Sequence, residues 1–282
     1  MNTRRLGAHV SISKGLTEAL VKARNMGGNC IQIFSSPPRG FAPPKFTNEK
    51  CKEFKEKSNE LNIKPVFIHA TYLVNLASEK ESLMDASIKS LVDDLNFGDK
   101  IGAAGVIVHT GSHKGKGFHF ALPIVTDSIR TILNQTHGNT KLLLEIASGG
   151  NGKIGSTFEE LQKLLLSVKD KRLGVCLDTC HMFAGGYNFD TQEAVNVLLK
   201  KITEKVGWNV IDCIHINDSK FPVGSFRDRH ENLGNGFIGI EGLKLLLNTP
   251  KFSELPMILE TPGFDEKGPD KENLDILKNL IS

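Results

Sequence analysis

No apolar stretch in these 282 residues reaches the length a helix needs to cross a membrane. The opening segment, residues 1–11, lacks the apolar core of a secretion signal, so an intracellular location is the expectation. Cysteine is sparse and odd in number: Cys30, Cys51, Cys176, Cys180 and Cys213 form no CxxC pair and suggest no disulfide scaffold. Cys176 and Cys180 are conceivable as a redox or thiolate metal pair. Three of the five, Cys30, Cys176 and Cys213, lie in apolar runs, where cysteine is a small buried hydrophobe. No GxGxxG fingerprint follows the first strand and no Walker A sequence occurs. A formal charge of +3 excludes a strongly basic protein but leaves room for a local basic surface facing a polyanion. Repeats, low-complexity tracts and linkers are absent, so residues 1–282 read as one domain.

What is present is a succession of short apolar runs. Strands are expected at Leu6–His9, Asn29–Phe34, Pro65–Ala70, Gly105–His109, Lys141–Glu145, Gly174–Asp178, Asp212–Ile216 and Pro256–Glu260. These runs are near-continuously apolar, the pattern of parallel strands covered by helices. Helical periodicity fills the gaps: Gly15–Met26, Asn48–Asn59 capped by Thr47, Ser82–Ile101 with Gly98 as an early stop signal, and Phe120–Leu133. Capping-box sequences begin at Ser156 for a helix through Val168 and at Asp190 for one through Val206; Ile240–Leu247 and Asp270–Ile281 follow. Eight strands alternating with eight helices predict a (β/α)8 TIM barrel with its active site at the C-terminal face of the strands. An open doubly wound sheet is the runner-up.

Chemistry-bearing residues recur at the strand ends. His9, His69, His109, Glu145, Asp178, His215 and Glu260 terminate strands; His181 lies one turn after Asp178, and Asp228 and His230 stand in the loop after His215. In a closed barrel such ends converge on one mouth. So many buried charges repel unless cations hold them together. His69, His109, Glu145, Asp178, His181, His215, Asp228, His230 and Glu260 form the candidate ligand set, enough for three zinc ions at three ligands each. A site of one or two metals with surplus histidines is the alternative. Clustered divalent metals suit phosphoester hydrolysis.

The run Gly174–His181 with Phe183–Tyr187, the run His215–Lys220 with Gly224, Ser225 and Asp228–Asn232, the opening Gly7–Ser11 and the stretch Leu259–Pro262 together resemble the endonuclease IV family of apurinic/apyrimidinic (AP) endonucleases over nearly the whole chain. The resemblance implies one zinc on His69, His109 and Glu145, a second on Glu145, Asp178, His215 and Glu260, and a third on His181, Asp228 and His230. It implies Glu145 and Glu260 as catalytic, with Glu260 orienting the attacking water, and Arg39 and Tyr72 entering DNA at the lesion. The substrate it implies is double-stranded DNA with abasic sites or blocked 3′ ends. Cleavage would fall 5′ to the lesion and leave a 3′-hydroxyl and a 5′-deoxyribose phosphate.

Several positions depart from the family pattern. Pro37, Gly40 and Phe41 flank Arg39 where asparagine and tryptophan are usual, Ile146 and Ala147 follow Glu145, and Thr71 and Thr110 stand where proline is common. Lys114, Lys116, Lys153, Lys220, Arg227 and Arg229 are phosphate-contact candidates, and His9 and His113 are expected to line the site or to stand behind its ligands rather than bind metal. No feature demands a partner chain or a membrane, so a monomer is expected. A metal-dependent sugar isomerase or epimerase on a related barrel is the competing enzyme class, and a non-catalytic lesion binder the third. The wedge role predicts that Arg39→Ala lowers the preference for abasic over intact duplex in a binding assay without changing zinc content; an unchanged preference refutes it.

Overall fold

The computed structural model describes residues 4–281. Eight parallel strands close into a barrel: β1 (Leu6–His9), β2 (Cys30–Phe34), β3 (Val66–His69), β4 (Gly105–Val108), β5 (Lys141–Glu145), β6 (Leu173–Asp178), β7 (Ile211–Ile216) and, after a two-stranded excursion of β8 (Asp218–Ser219) and β9 (His230–Glu231), β10 (Met257–Leu259). β1 pairs with β2 and β10, which completes the closure and removes sheet edges. The barrel expectation holds. Among the described residues no helix is long and apolar enough to cross a membrane, and all five cysteines are free and buried.

Among the described residues, ten α-helices flank the strands rather than eight. The unforeseen ones are short: α6 (Thr179–Ala184) directly continues β6, and α9 (Pro250–Ser253) precedes β10. Helix α3 (Glu81–Ile101) runs through Gly98 and ends at Gly102, whose left-handed conformation makes it the stop. The capping boxes lie one residue later than expected. Thr157 accepts from the Glu160 amide while Glu160 reaches back to the amides of Gly155 and Ser156, opening α5 (Phe158–Val168). Thr191 likewise accepts from the Ala194 amide at the start of α7 (Gln192–Lys205).

Strand periodicity builds the interior in layers. Cys30, Phe67, Ile107, Leu143, Cys176, Cys213 and Ile258, one from each of seven strands, form an apolar cluster distinct from the larger one between strands and helices. On β1 the matching position is Gly7, where a Cβ would lie 2.0 Å from the Cys30 carbonyl oxygen. Two residues further along every strand comes the next inward position, because side chains alternate across a sheet. Those eight positions are His9, Gln32, His69, His109, Glu145, Asp178, His215 and Glu260. An apolar floor thus underlies a polar ring. One irregularity tunes the ring. Val175 pairs with Ile211 but Cys176 with Cys213, a bulge at Asp212 that sets Asp178 opposite His215.

A buried acid on a helix also lies outside the ring. Asp94 on α3 is 3% exposed and accepts a hydrogen bond from Ser35, just beyond β2. Burial pushes its carboxyl up to about 7, against the pull of the Ser35 hydroxyl. A raised carboxyl pKa means that the folded chain binds the proton more tightly than the unfolded one. Its contribution to stability is therefore full below about pH 4 and falls away as pH rises toward 7. Asp94→Asn keeps the acceptor without the charge. It should raise the thermal midpoint at pH 8 and leave it nearly unchanged at pH 4; equal shifts at both values refute the assignment.

Candidate metal centre

The ring, helix α6 and the loop after β7 bring all nine proposed ligands to the barrel mouth. Three groups have ligand atoms within 4.8 Å of one another: His69, His109 and Glu145; Glu145, Asp178, His215 and Glu260; and Asp178, His181 and His230. Asp228 joins the last, its Oδ1 3.1 Å from His181 Nε2 and 3.7 Å from His230 Nε2. The family resemblance puts Asp178 in the second group alone; here it borders the third as well. The reason is helix α6. Asp178 caps it by accepting from the His181 amide at 2.7 Å, so the carboxylate that ends β6 also turns His181 back toward itself. Glu145 is fully buried and stands among His69, His109, His181 and His215 at 3.0–3.4 Å.

The remaining nitrogen of most of these rings is assigned by the backbone. Nδ1 of His69 lies 2.7 Å from the Ala70 carbonyl, that of His181 3.0 Å from Ile146 and that of His230 3.2 Å from Glu260. A carbonyl only accepts, so each Nδ1 carries a proton and each ring turns its Nε2 into the cluster. Lone pairs that meet carboxylate oxygens at 3.1–3.3 Å repel unless a proton or a metal ion lies between them. His230 Nε2 is buried with no hydrogen-bond partner among the described residues. The donor set therefore fits zinc: imidazole nitrogens and carboxylate oxygens, most of the rings held by an outer partner.

Electrostatics report the same pull. Burial opposes charge on His215, yet the Glu260 and Glu145 carboxylates hold its pKa up at about 10, and Asp178 and Asp228 raise His181 despite its burial. Burial disfavours the charged form of Glu145 too, but His109 and His215 hold it well below the usual carboxylate range. His109 is lowered to about 4 by desolvation, partly offset by Glu145, which leaves it a neutral ligand.

The other expected residues divide. Tyr72, 57% exposed, stands over His69 and Phe34 with ring centroids 5.4 and 5.5 Å away, between clefts of about 760 and 710 Å3 that both reach Glu260 and His230. Arg39 is exposed at the rim, and Phe41 packs inward on the core. His9 borders the larger cleft, 3.2 Å from Glu260. His113 does not line the site. Its Nδ1 accepts from the Gly117 amide and its ring covers Gly152, so it braces two loops instead. Lys153 contacts Asp228 Oδ2 at 2.9 Å and Ser148 at 2.8 Å, while Arg227 lies over the Phe221 ring and Lys220 3.6 Å from Glu231.

The threonines at unusual positions are accounted for. Thr71 donates to the Pro38 carbonyl at 2.7 Å and Thr110 to that of Ile154 at 2.7 Å, each tying one rim loop to its neighbour. Sequence reasoning missed three buried groups: Gln32; Asn217, which donates to Asp178 and accepts from the Glu260 amide; and Asp218, whose carboxylate accepts from the amides of Ser219, Gly234, Gly236, Ile238 and Gly239. A polar residue inside an apolar strand was the available signal for Gln32, and an aspartate ahead of a glycine-rich run for Asp218.

Fold and site together define a metal-dependent (β/α)8 enzyme with three adjoining metal sites at its mouth. Residues 20–280 match the family of xylose isomerase-like TIM barrels. The chain is 36% identical over 275 residues to a probable endonuclease 4 of Halothermothrix orenii, covering 97% of this chain and 99% of that one. It is 38% identical over 280 residues to one of a Sulfurihydrogenibium species, covering 98% and 99%. The crystal structure of endonuclease IV from Thermus thermophilus superposes with a TM-score of 0.86 at 34% identity over 98% of both chains. This chain belongs to the endonuclease IV family. A D-tagatose 3-epimerase-like protein at 19% identity and a TM-score of 0.72 shares the barrel alone.

Ligands that collapse on a metal make it part of the fold's stability. Zinc at a thousandfold excess over its Kd adds about 4 kcal/mol per site, so stripping it with a chelator should lower the thermal midpoint by more than about 5 °C, and zinc should restore it. An identical midpoint in chelator and in zinc refutes occupancy of the cluster.

Proposed function

We propose that this chain is a zinc-dependent DNA repair endonuclease that hydrolyses the phosphodiester 5′ to an abasic site, leaving a 3′-hydroxyl and a 5′-deoxyribose phosphate, and that it trims blocked 3′ ends. The observation that carries the reading is the triple cluster of carboxylates and imidazoles at one barrel mouth, in a chain of the endonuclease IV family.

The residues divide the work. His69, His109 and Glu145 would hold one zinc, Glu145, Asp178, His215 and Glu260 a second, and His181, Asp228 and His230 a third, with Asp178 close enough to serve two. Bound zinc supplies positive charge for the scissile phosphate and lowers the pKa of water to about 7. Glu145 gives one carboxylate oxygen toward His69 and His109 and the other toward His181 and His215, the disposition of a bridging ligand. Glu260 orients the attacking water toward phosphorus; its Oε1 is held by Gln32 and His9, which leaves Oε2 turned to the cluster. Tyr72 and Arg39 occupy the duplex at the lesion, where a missing base makes extrusion of the nucleotide cheaper. Lys153 lies where it can meet the backbone phosphates as well as Asp228.

The sugar epimerase alternative is disfavoured by the third group, because proton transfer at carbon needs no cluster of His181, Asp228 and His230. Residues 1–282 form one domain in this reading. All nine ligands come from a single chain, which supports a monomer, and a DNA substrate supports an intracellular location.

The deciding experiment incubates the protein with an abasic duplex, with and without chelator, and maps the cut and its termini. A chelator-sensitive cut 5′ to the lesion with a 3′-hydroxyl is expected; no incision by zinc-loaded protein overturns the reading. Glu260→Gln should keep DNA binding and lose incision by about 100-fold or more. Near-normal cleavage by that variant rejects its role in orienting water.

A further inference from the structure

We propose that Gln32 is a positioning residue for this site: its single amide group selects the atom that both His215 and Glu260 turn toward the metals. The effect on catalysis rests on the nuclease reading, whereas the effect on zinc binding does not.

Gln32 is the one member of the inward ring that cannot ionise, and it is fully buried on β2. Its Oε1 lies 2.7 Å from His215 Nε2. Its Nε2 is within hydrogen-bond distance of Glu260 Oε1 and 2.9 Å from His9 Nδ1. Only this orientation of the amide is stable, because the reverse would set its oxygen against the Glu260 carboxylate. The amide oxygen must accept, so His215 Nε2 carries the proton. Nδ1 is then the atom left for the metals, and it faces Glu145 Oε1 at 3.0 Å, Glu260 Oε2 at 3.2 Å and Asp178 Oδ2 at 3.7 Å.

This is the opposite tautomer from His69, His181 and His230, which present Nε2. Backbone carbonyls lock those three rings. His215 is locked by a side chain, on a strand three places away around the barrel. The same amide occupies Glu260 Oε1 and so commits Oε2 to the cluster. His9 stands beside the pair, its Nδ1 3.2 Å from the same Glu260 oxygen and its ring 4.3 Å from that of Phe34, centroid to centroid. A neutral amide does this without competing with a cation or repelling the carboxylates. Outer partners of metal ligands contribute about 10–100-fold to metal affinity or activity.

Two variants test the idea in the full zinc-loaded chain. Gln32→Met matches the side chain in length without hydrogen bonds. Gln32→Glu keeps an acceptor for His215 but turns a carboxylate on Glu260. Gln32→Met should release one zinc to a competing chelator about 10–100-fold more readily, lower kcat on an abasic duplex at unchanged KM, and abolish the single protonated Nε2 signal of His215 in long-range 1H–15N spectra. Gln32→Glu should restore that signal but not kcat. Zinc release and a His215 signal unchanged from wild type in Gln32→Met overturn the proposal. If that variant does not fold, Gln32→Glu decides alone, and an undiminished kcat there overturns it. Failure of the wild-type chain to cut abasic DNA would sink the nuclease reading, while zinc release and the His215 signal would still judge Gln32.

Discussion

The structure depends on one electrostatic constraint: Glu145, Asp178 and Glu260 share the mouth of a closed barrel with each other and with six of the nine histidines. Carboxylates this close and this buried cannot coexist without cations among them. Protons on imidazole are one answer, and the raised pKa values of His181 and His215 show how strongly the cluster attracts positive charge. Divalent metals are the better answer at neutral pH, because the outer hydrogen bonds place a proton on the far nitrogen of most ligand rings and leave the near nitrogen facing the cluster. The same charge that stabilises the cluster is the charge a phosphodiester needs.

Rigidity around that centre is built from short polar links rather than from apolar packing. Thr71 and Thr110 tie neighbouring rim loops together. Asp218 gathers the amides of the turn after β9 onto one carboxylate, and at Gly236 a Cβ would lie 2.4 Å from that carboxylate. Asn217 spans Asp178 and Glu260 from just beyond the strand between them. A departure from the family pattern in one loop is thus compensated by a hydrogen bond to the next.

Much of this was legible in the chain. The barrel followed from apolar runs alternating with capped helices, and the ligands followed from histidine and carboxylate at strand ends, because period two sends each such residue to the same face as the apolar one two places earlier. Helix caps at Thr157 and Thr191 were displaced by a residue, since Ser156 and Asp190 carry equally good capping side chains and only backbone geometry chooses between neighbours. His113 was misplaced for a related reason. Its position after β4 puts it at the right end of the barrel, but whether a loop side chain turns toward the axis or toward the next loop depends on contacts far away in sequence.

What the sequence by itself determined is the set of groups: which strands, which floor of apolar residues, and which histidines and carboxylates stand above it. These are local properties, carried by residue type and spacing. Only the tertiary structure decided how the groups share their atoms. Asp178 borders two clusters because α6 folds back from β6, His215 presents Nδ1 because Gln32 reaches it across the barrel, and Glu260 keeps one oxygen free because Gln32 and His9 hold the other. Those assignments rest on hydrogen bonds between residues as many as 251 positions apart. Closure of the barrel is what brings them within reach.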